Sequence, residues 1–240
     1  MIDRGRRDGR FGGGRGGFGR FTRVSEAVNG NLSPVPGVVE FIRALTGVDN
    51  ATIEKFINEI TSNRKFEDLM EKNRDGRYRG FYGIGPVLGE LIYALCRIVE
   101  PDTFVETGVS SGISSSYILC ALEENGKGAL YSIDLPWWDE DSGWIIPGYL
   151  KHRWHLELGS SSEKLPPLLE KLGKIDVFMH DSEHTYRNML WEYETAWKYM
   201  SEKGILLSHN ISHSRAFPDF CHKMGVKGYI FGDMGGTVKK

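Results

Sequence analysis

The chain has 240 residues, which is enough for one α/β domain with a terminal extension and a full hydrophobic core. Hydrophobic residues make up 40% and charged residues 26%, and the formal net charge of −2 argues against a protein that binds nucleic acid over its whole surface. No apolar run reaches the ~18 residues of a membrane span, and the first residues lack the apolar segment of a secretory signal. The three cysteines, Cys96, Cys120 and Cys221, form neither a disulfide framework nor a zinc motif. We therefore expect reduced, mostly buried thiols, a cytoplasmic location and no membrane partner.

Residues 1–23 differ in composition from the rest of the chain. Fifteen of these twenty-three residues are Gly or Arg, and their formal charge of +5 leaves −7 for the remaining chain. Such a segment buries too little apolar surface to offset its ordering entropy, so we predict a disordered tail. Its interleaved Arg, Gly and Phe residues resemble RGG-type segments that bind RNA by charge and stacking. The alternatives are a solvated tail with no partner and a tail that is itself methylated on arginine.

Residues 24–80 form a second zone that we interpret as a helical N-terminal cap. Apolar residues between Ala51 and Met70 recur at spacings of three and four, which predicts one amphipathic helix or two short ones. Residues 73–77 read as a loop. The cap is expected to shape a substrate pocket or a dimer contact, so a homo-oligomer is one expectation for this protein.

Residues 81–240 follow a strand, loop and helix rhythm. This alternation predicts a Rossmann-like, doubly wound and mostly parallel α/β sheet. The last sixteen residues, from Gly225, read as one more strand with glycine-rich ends. The predicted strands are 103–107, 128–133, 154–158, 175–179 and 204–207, and the predicted helices are 87–99, 114–122, 165–172 and 187–200.

The first strand of this domain ends in a glycine-containing loop. Residues 106–112 read E-x-G-x-x-x-G between a strand and a helix, and Asp134 closes the next strand. Gly108 lets a ligand approach the backbone, and Gly112 permits the turn into a helix whose N-terminal N–H groups suit an anion. A dinucleotide site would need a second glycine where Ser110 stands, so NAD is the weaker interpretation. A tight turn without a ligand is the other alternative.

Three stretches of this sequence resemble a family of small class I methyltransferases that use S-adenosylmethionine (SAM). They are VETGVSSGISSSYIL, LYSIDLP and residues 153–207, and the resemblance extends over about residues 81–240. Relatives include sugar and antibiotic O-methyltransferases and cephalosporin-hydroxylase-like proteins. The resemblance implies a SAM-dependent methyltransferase, with O-methylation of a small-molecule or sugar-like substrate. The alternative is an RNA-associated protein whose methyltransferase fold acts on RNA or serves as a binding platform.

The resemblance also implies roles for residues that bind the cofactor. It implies the methionine part of SAM near Glu106, Gly108, Ser110 and Gly112, and the ribose on Asp134. Ser160 and Ser161 correspond to positions near the adenine, although a helix N-cap before Glu163 is an equal interpretation of these serines. Trp137 and Trp138 are candidates for lining the same pocket or for packing on the core.

The segment His180-Asp181-Ser182-Glu183-His184 resembles the D-x-x-H motif of the family. By this resemblance Asp181 binds a divalent cation in metal-dependent relatives, and His184 is a general base. An imidazole with a pKa near ~6.5 is suited to take a hydroxyl proton.

By the same resemblance, His209 and Asn210 stand where relatives carry an Asp-Asp or Asp-Asn pair, so a metal at Asp181, His209 and Asn210 would be a softer ion than Mg²⁺. The same departure also favours a site without metal. His180 is expected to be structural, and His213 to lie near the mouth of the site.

Overall fold

The structure, a computed structural model, describes residues 31–74, 84–136 and 142–240. The predictions for residues 1–23 and for Trp137 and Trp138 therefore lie outside the described residues. Over the described ranges the chain forms one eight-stranded sheet with helices on both faces. No helix in these ranges is both long enough and apolar enough to cross a membrane.

The strands of this sheet run mostly parallel. In spatial order the sheet is β1-β7-β8-β6-β5-β2-β3-β4, and only β8 is antiparallel to its neighbours. The doubly wound, mostly parallel sheet predicted from the sequence is confirmed. The strands are β1 (Leu32–Pro34), β2 (Thr103–Thr107), β3 (Ala129–Asp134), β4 (Trp154–Leu158), β5 (Ile175–His180), β6 (Met200–Ser208), β7 (Gly228–Phe231) and β8 (Met234–Val238).

The helices cover the two faces of the sheet in two groups. Helices α1 to α5 pack with one buried apolar cluster, and α6 to α8 pack with the other. The helices are α1 (Val38–Thr46), α2 (Asn50–Thr61), α3 (Arg64–Arg74), α4 (Pro86–Val99), α5 (Ile113–Asn125), α6 (Ser161–Leu172), α7 (Tyr186–Trp197) and α8 (Ala216–Met224), with 3-10 turns at Gly148–Arg153 and Ile211–His213.

Strand β2 shows why the central strands read as continuous apolar runs. Side chains alternate between the faces of a strand, and both faces of this sheet are covered. Phe104 accordingly packs in the first cluster and Val105 in the second, and both are fully buried. The next two residues, Glu106 and Thr107, continue this alternation with polar side chains, which are also buried.

The N-terminal zone contains three helices, α1 to α3, and also a strand that the sequence did not suggest. Strand β1 pairs with β7, and Leu32 is in register with Gly228. Helix α1 lies against β8, where a side chain on Gly236 would meet Phe41 and Leu45 at 2.8 and 2.9 Å. The zone therefore extends the sheet and its apolar core, and none of its described residues lines the main cavity.

The C-terminal segment forms two strands where one was predicted. Gly232 has a left-handed φ of 57°, and this turn folds β8 back on β7 as a hairpin. Glycines 235 and 236, which suggested the loose end of a strand, lie inside β8. A side chain on Gly235 would meet the ring of Phe217 at 2.8 Å, so close packing of helices on β8 accounts for these glycines.

Candidate active site

The chain leaves β2 through α5 to reach β3, whereas β5 pairs with the opposite edge of β2. Ligands of doubly wound sheets bind at such a switch point, at the carboxyl ends of the strands. A cavity of about 610 Å³ opens there. Most of the site residues predicted from the sequence line it, namely Gly108, Ser110, Asp134, Ser160, Ser161, Asp181, His184, His209 and Asn210.

Gly108 permits a close backbone contact between two walls of the cavity. Its φ is +86°, and a Cβ there would lie 2.1 Å from the carbonyl oxygen of Asp181. The backbone N–H of Asp181 donates to the carbonyl of Thr107 at 2.8 Å. The glycine loop and the loop after β5 are therefore in direct backbone contact, which a larger residue at position 108 would prevent.

Gly112 does not line the cavity but shapes the loop from behind. It precedes α5 with a φ of +91°, and a Cβ there would lie 2.8 Å from the Cα of Gly143. The backbone N–H of Gly143 in turn donates to the carbonyl of Ser110 at 2.8 Å. Gly112 thus lets the segment around Gly143 close against the loop, which supports the loop without contacting the cavity.

Asp134 joins the end of β3 to the glycine loop. Its side chain is 8% exposed, and Oδ2 accepts a hydrogen bond of 3.0 Å from the backbone N–H of Ser110. Oδ1 accepts one of 3.0 Å from the N–H of Leu135. Since each carboxylate oxygen has two lone pairs, both oxygens retain acceptor capacity for the hydroxyl groups of a ligand in the cavity.

Glu106 lies in the core below the loop rather than in the cavity, which differs from its expected place beside the methionine part of SAM. Its Oε1 accepts hydrogen bonds from the hydroxyls of Ser115 and Ser132. Its Oε2 has no hydrogen-bond partner among the described residues. Burial raises the pKa of Glu106 to about 7, although the two serines lower it. Alternation along β2 explains the position, because Glu106 points toward α5.

The predicted adenine-side serines stand at the start of α6. Ser160 occupies the N-cap position, but its side chain makes no capping hydrogen bond to the backbone. Its hydroxyl pairs with that of Ser162 at 3.0 Å. The N-cap interpretation is therefore correct for the position of Ser160 and wrong for its side chain, and Ser160 and Ser161 both line the cavity.

Asp181 accepts hydrogen bonds from two histidines that the sequence separates by 25 residues. Its Oδ1 lies 2.9 Å from Nδ1 of His209 and 3.4 Å from Nε2 of His184. Burial opposes ionisation of Asp181, but hydrogen bonds from His184 and His209 outweigh it and lower its pKa. Burial also opposes the charged form of His209, but Asp181 outweighs that effect and raises its pKa. The arrangement favours an ionised Asp181 carboxylate beside a His209 imidazole that takes up a proton.

Asn210 is held by a residue that the sequence did not single out. Its φ of 54° is left-handed, and its Nδ2 donates to Oδ2 of Asp233 at 3.2 Å. Asp233, in the β7–β8 hairpin, also accepts from the N–H of Ser212 at 2.8 Å. No local signal connects Asp233 with the site, because it follows Asn210 by 23 residues and comes from another strand connection.

Two further histidines contact the ring of His184 but do not line the cavity. His180 is fully buried, and its Nδ1 lies 2.6 Å from Oε2 of Glu192, in agreement with the structural role expected for it. The ring of His213 meets that of His184 edge to face at 5.2 Å between centroids, but His213 does not line the cavity.

Glu192 was not singled out from the sequence. The available signal was one acidic residue among the apolar side chains of Met189, Tyr193 and Ala196.

The predicted metal ligands come together at the cavity, but they already bond to other groups. Asp181 and His209 are hydrogen-bonded to each other, and the amide nitrogen of Asn210 bonds to Asp233. In residues 31–74, 84–136 and 142–240, no group of three or more His, Cys, Asp or Glu side chains is arranged to hold a metal ion. Oδ1 of Asp181 and Nδ1 of His209 are therefore engaged with each other rather than with an ion.

Comparison with known proteins finds a methyltransferase domain in this chain. The family model described as a methyltransferase domain matches residues 105–211, from β2 through the 3-10 turn after β6. This range contains the glycine loop, Asp134, Asp181, His184 and His209. A search of curated proteins gives no match.

Solved structures share the fold at low sequence identity. An O-methyltransferase of Bacillus cereus in complex with S-adenosylhomocysteine (SAH) has a TM-score of 0.57 and 15% identity, over 82% of this chain and 100% of that one. A methyltransferase of Podospora anserina with bound SAH has a TM-score of 0.57 and 13% identity, over 95% and 98% of the two chains. A Klebsiella pneumoniae protein described as a candidate O-methyltransferase has a TM-score of 0.56 and 16% identity, over 82% and 99%.

Residues 105–211 thus match a methyltransferase domain, and the mostly parallel sheet has the fold of solved methyltransferases.

Proposed function

We propose that this enzyme transfers the methyl group of SAM to a hydroxyl oxygen of a small-molecule or sugar-like substrate. One observation carries the proposal. A single cavity at the switch point of the sheet contains both the glycine loop with Asp134 and the His184–Asp181 pair. The volume of about 610 Å³ lies in the range of sites for cofactor-sized ligands, about 300–1,000 Å³.

The cofactor would lie along the wall formed by β2, β3 and α6. Loop N–H groups before α5 suit the methionine carboxylate, because the N-terminus of a helix favours negative charge. The remaining lone pairs of Asp134 suit the ribose hydroxyls. Ser160 and Ser161 suit the polar edge of the adenine, and the exposed side chain of Leu135 suits its face. The carboxylates of Asp134 and Asp181 also favour the positively charged sulfonium of SAM over neutral SAH.

His184 is the proposed general base. Its Nε2 faces Asp181, so Nε2–H donates to the carboxylate and Nδ1 is left to accept the proton of the substrate hydroxyl. The hydroxyl oxygen then forms a bond to the methyl carbon, and the electrons of the broken C–S bond remain on sulfur, giving SAH. Asp181 holds the imidazole ring and stabilises its charged form. Alignment of the two reactants supplies much of the rate.

A metal-assisted version of the reaction would place a divalent ion on Asp181, His209 and Asn210. We favour the version without metal, because Asp181 already accepts from both His209 and His184. Activity that survives chelation by EDTA supports the base mechanism. Activity that disappears with EDTA and returns with Mn²⁺ or Mg²⁺ supports the metal-assisted one.

Transfer of label from methyl-tritiated SAM to a panel of phenols, catechols and sugars tests the proposed substrate class. We expect label to appear on a hydroxyl group of at least one class of acceptor. Label transferred only to RNA would support the RNA-associated alternative and overturn the small-molecule proposal.

Asp134→Ala should weaken SAM and SAH binding by about 1–3 kcal/mol, because it removes charge-assisted hydrogen bonds to the ribose. Calorimetry with SAM, SAH and NAD measures this effect, and NAD should not bind the wild type. Asp102→Ala is the control, since Asp102 is exposed and pairs with Lys127 away from the cavity. Unchanged SAH affinity in Asp134→Ala would remove Asp134 from the cofactor site.

Deletion of residues 1–23 should leave the melting temperature and the SAM affinity nearly unchanged, because a segment with so few apolar residues is expected to add little to the core. Any affinity for RNA should disappear with the tail, and in the full chain it should fall steeply with added salt. Melting curves, calorimetry and RNA binding at two salt concentrations measure these effects. A deletion that unfolds the remaining chain would show that the boundary at residue 23 is wrong.

A further inference from the structure

Glu192 is a fully buried carboxylate on α7 that lies just outside the cavity. Its Oε2 accepts from the hydroxyl of Thr107 at 2.5 Å and lies 2.6 Å from Nδ1 of His180. Its Oε1 accepts from the hydroxyl of Ser182 at 2.7 Å and from the amide of Asn188 at 3.1 Å. Burial of such a charge is costly unless hydrogen bonds satisfy both oxygens, as they do here.

These donors belong to two paired strands, where Thr107 on β2 is in register with His180 on β5, and to the loop and helix that follow β5. Thr107 directly precedes Gly108, so it fixes the start of the glycine loop on the cofactor side. His180 directly precedes Asp181, and Ser182 follows it, so both fix the loop that carries the proposed base. Ser182 and Asn188 themselves line the cavity. One carboxylate therefore holds the end of β2, the end of β5 and the loop after β5 in a single arrangement.

Within the described part of the chain, no Lys or Arg side chain forms an ion pair with Glu192. His180 is the adjacent imidazole, and its Nε2 has no hydrogen-bond partner among the described residues. An apolar side chain would fill this part of the core at lower cost, because buried ion pairs seldom add to stability. We therefore explain the carboxylate by the segments that its hydrogen-bond donors belong to, namely the ends of β2 and β5 and the loop after β5.

We propose that Glu192 is a positioning residue that sets the proposed base, His184, relative to the cofactor loop. Glu192 touches neither substrate nor cofactor in this role. It acts through Thr107 on one side and through Ser182 and His180 on the other. The inference rests on the proposed function, because it takes the glycine loop as the cofactor side and His184 as the base. A misplacement of about 1 Å between reacting groups is enough to lower a rate by about 10²-fold.

The experiment uses the full chain with SAH as the probe and needs no methyl acceptor. Histidine-ring ¹H–¹³C NMR signals are recorded with and without SAH, and His184→Gln assigns the signal of His184. In the wild type, SAH binding should shift the His184 signal. In Glu192→Gln, which keeps the shape of the side chain, SAH should still bind within about threefold of the wild-type affinity. The His184 response to SAH should fall by at least about half, because the link between the walls is altered.

Glu194→Gln is the matched control, since Glu194 lies two residues along the same helix and pairs with Lys223 at the surface. It should retain the full His184 response. If Glu192→Gln fails to fold, two smaller changes remove hydrogen bonds to Glu192 one at a time. Thr107→Val removes the bond from Thr107, and Ser182→Ala removes the bond from Ser182. Each of these two variants should reduce the response while SAH still binds.

The outcomes separate this inference from the function on which it rests. Absence of SAH binding by the wild-type protein would overturn both. SAH binding with a full His184 response in Glu192→Gln, and also in Thr107→Val and Ser182→Ala, would overturn the positioning role alone. A lower melting temperature with an unchanged response would likewise show that Glu192 only stabilises the core.

Discussion

We expect His184→Ala to lower the rate of methyl transfer by about 10²–10⁴-fold, the usual contribution of a general base. The reason is that His184 presents one ring nitrogen to Asp181 at 3.4 Å and leaves the other for the substrate proton. SAH affinity should change little, because His184 follows β5, whereas Asp134 at the proposed ribose site ends β3, on the other side of β2. Single-turnover transfer from tritiated SAM to an accepted hydroxyl compound measures the rate per folded molecule.

A second variant distinguishes a base from a residue that only holds Asp181. His184→Gln keeps an amide N–H that donates to Asp181, but it cannot take a proton. If His184 is the base, His184→Gln should be as slow as His184→Ala. If His184 only orients Asp181, His184→Gln should retain most of the rate, and the mechanism would need another base. His222→Ala, on the exposed side of α8, is the control for loss of a histidine away from the cavity.

We expect Gly108→Ala to destabilise the fold by about 2–5 kcal/mol and to abolish SAH binding. The left-handed φ of +86° costs an alanine about 1–2 kcal/mol. The larger effect comes from a Cβ that would lie 2.1 Å from the Asp181 carbonyl, because backbone on both sides must then move apart. Thermal melting and calorimetry with SAH measure both effects.

Gly126→Ala is the matched control for this substitution. Gly126 ends α5 with a φ of +68°, and an added Cβ there would meet nothing within 4 Å. It should therefore show the cost of the left-handed backbone alone, about 1–2 kcal/mol. Equal losses of stability in the two variants would show that the contact between the glycine loop and Asp181 does not require a glycine.

The cofactor side of the site could be predicted from the sequence because its signal is local. A strand, a loop with Gly108 and Gly112, and a helix follow one another within about 20 residues, and Asp134 ends the next strand. The alternation of side chains along β2 then decides which residues face the core. The sequence could not place Glu106 below the loop without knowing that both faces of β2 are covered, since the acidic residue of the motif then faces α5 in the core.

For the residues around the proposed base, the sequence predicts which side chains lie near one another but not which of them are hydrogen-bonded. Parallel strands end at the same edge of a sheet, which predicts that Asp181, His184, His209 and Asn210 lie close together, and all four line the cavity. The pairing of Asp181 with His209 at 2.9 Å depends on the order and register of β5 and β6. The hydrogen bond between Asn210 and Asp233 also depends on the tertiary structure. Asp233 lies in the β7–β8 hairpin, which the sequence suggested was a single strand.

The sequence by itself determined the repeating strands and helices, the glycine loop and the acidic and histidine residues at the strand ends. Each of these is a pattern within one short segment, where period and turn chemistry act directly. Only the tertiary structure decided that β1 joins the sheet beside β7, that α1 packs on β8, and that Glu192 satisfies donors from two walls of the cavity. Those contacts join segments far apart in the chain, and a buried charge shows its partners only when the chain is folded.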